Sequence, residues 1–159
     1  MKKYELTEES IQLFDRTLYR IKALIDIPSI NVRKGDLGGF VESERNLSQE
    51  GNCWMANEAK VYGEARVYGK AIVFGEARVY GKAFIAKTSD YLTISPIGSE
   101  NGVLTAFKDK EGKIFINRGC YTGTIEEFEQ RVKEVHGENK YGLVYLSHLT
   151  TIKLQLHLS

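Results

Sequence analysis

The stretch Val61-Tyr62-Gly63-Glu64-Ala65-Arg66-Val67-Tyr68-Gly69-Lys70-Ala71-Ile72-Val73-Phe74-Gly75-Glu76-Ala77-Arg78-Val79-Tyr80-Gly81-Lys82-Ala83-Phe84-Ile85 repeats itself every six residues. Gly51, Gly63, Gly69, Gly75 and Gly81 share one register, and Asn57 fills its single gap. Two positions after each corner stands a small residue, Cys53, Ala59, Ala65, Ala71, Ala77 or Ala83. Two further on comes Met55, Val61, Val67, Val73, Val79 or Ile85. This alternation turns both sets to one face of a strand and leaves Glu58, Lys60, Glu64, Arg66, Lys70, Glu76, Arg78 and Lys82 toward water. A helix is excluded, because residues six apart would sit roughly 600° round its axis and each interior glycine would cost about 1 kcal/mol.

Short strands with a glycine turn every six residues match a solenoid. The pattern is similar to the hexapeptide repeat of left-handed parallel β-helices, with residues 18 apart stacked. The expected fold is mainly β: an N-terminal β cap over 1–35, a short left-handed β-helix over 36–95 and a small C-terminal α+β module over 96–159. An ordinary antiparallel sheet of very short hairpins is the alternative. The cap is read from Ile11-Gln12-Leu13-Phe14 and from the alternating run Leu18 to Ile25, a hairpin. In the C-terminal module, Val103 to Phe107 and Lys113 to Asn117 flank a glycine-containing turn. Thr124 and Glu127 form a capping box, and Ile125, Phe128, Val132 and Val135 follow at helical spacing. The spacing predicts a helix over 125–136 stopped by Gly137, then a second from Lys140 to about Ile152, giving a ββαα order.

The 159 residues carry 22 Lys+Arg against 21 Asp+Glu, a net charge of +1. That balance gives no strong nucleic-acid signal. Two cysteines fit a reducing, cytoplasmic setting. The opening Met1 to Leu6 enters charged residues, so no signal peptide is expected, and no apolar run reaches the ~18 residues of a membrane span. No metal site is expected from Cys53, Cys120, His136, His148 and His157, which are scattered. No cofactor is implied, since neither a Walker loop nor a dinucleotide fingerprint occurs. A Cys120–His136 dyad is disfavoured because a 12-residue helix of ~18 Å separates the two, so no catalytic residue is named. Arg118, Tyr121, Lys140 and Tyr141 place cations and aromatic rings beside a glycine-containing turn and a helix N-terminus, the chemistry of a small anionic or nucleotide-like ligand site. Tyr62, Tyr68, Phe74 and Tyr80 occupy outward positions where charge would be usual, and they are the candidate oligomer interface.

Three stretches carry a resemblance: Leu18-Tyr19-Arg20-Ile21-Lys22-Ala23-Leu24, Gly35-Asp36-Leu37-Gly38-Gly39-Phe40-Val41-Glu42, and Asn46-Leu47-Ser48-Gln49-Glu50-Gly51-Asn52-Cys53-Trp54. With the glycine repeats, residues 1–90 resemble the YdcK-like hexapeptide-repeat proteins and related phage and prophage proteins. The resemblance implies a closed homotrimer, a bacterial host cell and an acyltransferase-like frame. Such acyltransferases use a histidine between neighbouring subunits as general base, and the repeats here contain none. The expectation is therefore a non-enzymatic trimeric β-helix scaffold or binding protein of phage or prophage type, an anti-defence protein that sequesters a nucleotide-like signal or blocks a host protein. A CoA-dependent acyltransferase is the alternative.

Overall fold

The computed structural model describes residues 1–158. Thirteen strands run in chain order: β1 (Tyr4–Leu13), β2 (Arg16–Ala23), β3 (Leu37–Val41), β4 (Trp54–Met55), β5 (Lys60–Val61), β6 (Arg66–Val67), β7 (Ile72–Val73), β8 (Arg78–Val79), β9 (Phe84–Ile85), β10 (Tyr91–Ile97), β11 (Gly102–Lys108), β12 (Ile114–Arg118) and β13 (Tyr121–Thr124). Helices α1 (Ile125–His136) and α2 (Lys140–Leu158) close the chain.

The sheets correct the expected fold class. Four small sheets stand where one continuous left-handed β-helix was anticipated: β1-β2-β3-β5-β8, β10-β11-β12-β13, and the pairs β4-β7 and β6-β9. The widest sheet is mixed, because the β1–β2 hairpin joins its edge through antiparallel pairing of β2 with β3. The hairpin is thus part of a sheet and no separate cap. The physical reason is length. Each hexapeptide supplies a strand of two residues, and 3-10 turns at Glu44–Asn46 and Thr88–Asp90 interrupt the register at both ends. The C-terminal sheet starts at Tyr91 and has four antiparallel strands in place of the two expected.

Locally, the six-residue period acts through side-chain alternation and turn geometry. Residues 18 apart pair in parallel, Trp54 with Ile72, Lys60 with Arg78 and Arg66 with Phe84. The small and aliphatic positions are sealed, with Cys53, Ala59, Ala65, Ala71, Ala77, Val61, Val73, Val79 and Ile85 all at 0% exposure. Fully burying one such valine or isoleucine contributes roughly 1.5–3 kcal/mol. The corner glycines hold φ between 67° and 70°, and Asn57 adopts 57° in the same role. At Gly63 a second constraint acts, since a Cβ would lie 2.6 Å from the Tyr80 ring.

The C-terminal sheet docks on the exposed edge of β8. Thr105 Oγ1 accepts the Arg78 amide at 3.0 Å, and Asn117 Nδ2 donates to the Arg78 carbonyl at 3.1 Å. Two side chains therefore supply what a further strand would have supplied. Asn117 also donates to Tyr62 Oη at 3.1 Å, and Ala83 bridges Asp109. Behind this sheet, Leu104, Ala106, Ile116, Ile125, Phe128, Leu149 and Ile152 form a second core. Helix α1 begins as its capping box predicts, with the Thr124 side chain accepting the Glu127 amide, and it ends at Gly137. Helix α2 runs six residues past the expected Ile152.

Candidate functional site

The sequence places two of the four expected ligand residues on the strands that turn at Gly119 and Cys120. Arg118 ends β12 and Tyr121 starts β13, and they pair across the turn. The guanidinium of Arg118 is pinned from several sides. Its Nε donates to Tyr145 Oη at 3.1 Å and its Nη2 to the Ile97 carbonyl at 3.3 Å. Gly102 lies flat against it, and a Cβ there would sit 2.6 Å from Nη1. At Gly98, where φ is 80°, a Cβ would collide with Tyr145 Oη. Gly98 in the β10–β11 connection and Gly102 at the start of β11 therefore make room for one Arg–Tyr pair.

That pair forms one wall of a pocket of about 170 Å³ between the sheet and α1. Tyr121, Phe128 and Val132 line its apolar side, and Arg131 and His136 stand at its rim. The rings interlock: Phe128 meets Tyr145 edge-on at 5.5 Å, and His136 stacks on Tyr145 at 5.8 Å. Burial pushes the Tyr121 phenol up, with Glu127 acting in the same direction. It stays a neutral hydrogen-bonding group at ordinary pH.

Lys140 and Tyr141 stand outside the wall. Tyr141 lies 6.1 Å from the His136 ring, and Lys140 Nζ sits 5.1 Å over Tyr141. The structure thus brings Arg118 and Tyr121 together and leaves the other two as an outer layer behind His136. Sequence reasoning missed Tyr145, Phe128 and Arg131. Phe128 was legible only as a core position at helical spacing, and Tyr145 had no signal beyond lying four residues after Tyr141.

The aromatic positions of the repeat do not form one column. Tyr62 is buried and stacks on Tyr80 at 4.6 Å, Tyr68 packs on Phe84 at 4.4 Å, and Phe74 meets Tyr91 at 6.3 Å. Tyr80 also accepts a hydrogen bond from Arg16 at 2.9 Å. Tyr62 and Tyr80 are engaged within the chain, and Phe74 remains half-exposed at 52%.

Both cysteines are free, Cys53 buried and Cys120 exposed. Cys53 Sγ lies 3.3 Å from the Nζ of buried Lys3, whose pKa burial lowers. Among the described residues no cluster of His, Cys, Asp or Glu is placed to hold a metal ion. Among the described residues no helix is long and apolar enough to cross a membrane. No protein-family model and no curated protein matches the chain.

Proposed function

We propose that this chain is a binding module for a small aromatic anion of nucleotide-like character, held at the Arg118 pocket. One observation carries the reading: a guanidinium fixed by Tyr145, the Ile97 carbonyl and two glycines, facing a pocket lined with rings. An arginine already ordered loses little further freedom on pairing with an anion, and its planar fork suits carboxylate and phosphate. The volume of about 170 Å³ lies below the roughly 300–1,000 Å³ of a drug-sized site, so the pocket takes one ring system. The charged part of the ligand then lies against the Arg118 guanidinium.

The role is binding, in a reducing bacterial cytoplasm where Cys53 and Cys120 stay thiols. Self-association, as a trimer, is part of the proposal and is assigned to the exposed Phe74 ring. Light scattering of the native chain and of Phe74→Ser tests it: a monomer in both sinks the assembly. For the pocket, calorimetric titration with adenosine monophosphate and with adenosine is the test. The monophosphate is expected to bind, and Arg118→Gln to weaken it at least tenfold. Equal affinity for adenosine, or no effect of the substitution, overturns the reading.

A further inference from the structure

A second site lies on the opposite kind of surface. Arg45, Arg66, Lys82 and Lys110 converge on a groove of about 610 Å³. They come from four places in the chain: the 3-10 turn after β3, strand β6, the β8–β9 turn and the β11–β12 turn. The Ala83–Asp109 bridge brings the last of these to the ladder. Asp109 does not neutralise the cluster from inside the groove, because its Oδ1 accepts the amides of Glu111 and Lys113 within its own turn.

The groove continues past Arg45 and Lys82 into a second depression of similar size, walled by Arg16 and Glu42. These two cancel, with Arg16 Nη1 at 2.9 Å from Glu42 Oε1, which also accepts the Gly63 amide at 2.8 Å. The remaining carboxylate of the groove is Glu64. Four cations against one carboxylate leave +3 here, while the whole chain carries only +1. Among the described residues none of the four cations makes an ion pair. Like charges gathered without partners repel one another, and a multivalent anion relieves that repulsion.

We propose that this groove is a binding site for a compact ligand carrying several linked phosphates, such as a nucleoside triphosphate or inorganic tripolyphosphate. Linked phosphates are favoured over a single anion because the four cations arise from separate elements around one depression. A lone phosphate meets only some of them. The half-exposed Phe84, backed by Tyr68, adds an aromatic wall for the base of a nucleotide. The site is separate from the Arg118 pocket and does not depend on it.

Calorimetry with tripolyphosphate, ATP and orthophosphate at 50 and 300 mM salt tests the proposal. Tripolyphosphate with the native chain, and ATP with Arg118→Gln so that the first pocket does not contribute, are expected to bind at one per chain, at least tenfold tighter than orthophosphate, and to weaken steeply with salt. The double variant Arg66→Gln/Lys82→Gln, all surface positions, is expected to lose at least tenfold in affinity for tripolyphosphate, while Arg118→Gln leaves it unchanged. With Arg118→Gln, ATP binding tighter than tripolyphosphate assigns the base to Phe84, and equal binding assigns the phosphates alone; either supports the site. Binding no stronger than that of orthophosphate overturns it, as does binding indifferent to the double variant. A 20-nucleotide single strand that binds more tightly than tripolyphosphate overturns the compact ligand in favour of a nucleic-acid backbone.

Discussion

The ladders between β3 and β9 and the module that follows β9 solve burial in opposite ways. In the ladders, small and aliphatic residues alternate on one face, every inward position is closed, and the strands are only two residues long. Such a core has no spare volume, so whatever the region binds must lie on its surface, in a groove between side chains. The module mixes isoleucine, phenylalanine and tyrosine between a sheet and two helices. Residues of unequal size leave a pocket, and glycines at Gly98 and Gly102 decide what stands in its wall. Regularity produces grooves here, and irregularity produces a cavity.

The same deletion made in both regions tests whether they unfold together. Ile85→Ala in the ladders and Ile116→Ala in the module each remove a fully buried side chain, at an expected cost of about 2–5 kcal/mol. Urea melts followed by far-ultraviolet circular dichroism are expected to show one shifted transition for either variant, because the β8–β11 contact joins the two cores. Two separated transitions would divide the molecule into independent parts. A glycine comparison comes next. Gly75→Ala meets open space and carries only the left-handed backbone penalty of about 1–2 kcal/mol, whereas Gly63→Ala must also displace Tyr80, so its melting temperature falls further. Equal losses would show the Tyr62–Tyr80 stack to be loose.

Thr105→Val acts on the contact itself. It leaves the Arg78 amide without its acceptor, at about 1–3 kcal/mol, and is expected to speed hydrogen exchange at that amide above all others in β8. The smallest effect belongs to the module alone. Hydrogen bonds from Thr124 hold the Glu127 carboxyl below its ordinary value of 4.5. A depressed acid contributes above its unfolded pKa and loses that contribution as pH falls through the folded one. Titration from pH 6 to pH 2 should therefore fray the start of α1 with a carboxylate midpoint below 4.5, and Glu127→Gln should abolish that step. A step that survives the substitution belongs to another group.

Much of the local structure was legible because it follows from chemistry within a few residues. The glycine corners, the inward alanine and valine positions and the capped helix at Ile125 all come from turn geometry, alternation and capping. The fold class was not, because the repeat says where strands lie and how far apart partners stand, but not how many strands each sheet collects. That number depends on β2 joining β3, a contact between segments whose own patterns name no partner. The site divides in the same way. Arg118 and Tyr121 were readable from their turn, while Tyr145 reaches them from 27 residues further along through the packing of α2. The four cations of the groove were even less visible as a set, since Arg45 and Lys110 lie outside the repeat.

The largest sheet ends differently on its two sides. On one, Thr105 and Asn117 occupy the hydrogen-bonding positions of Arg78, so no incoming strand finds a free amide or carbonyl there. On the other lies β1, which carries the charged side chains Glu5, Glu8 and Glu9, with Glu5 paired to Lys22 and Glu9 to Arg20. A sheet with one blocked edge and one edge of charged side chains is a poor template for strand addition. At this sheet, contacts between copies therefore fall to side-chain faces and not to added strands.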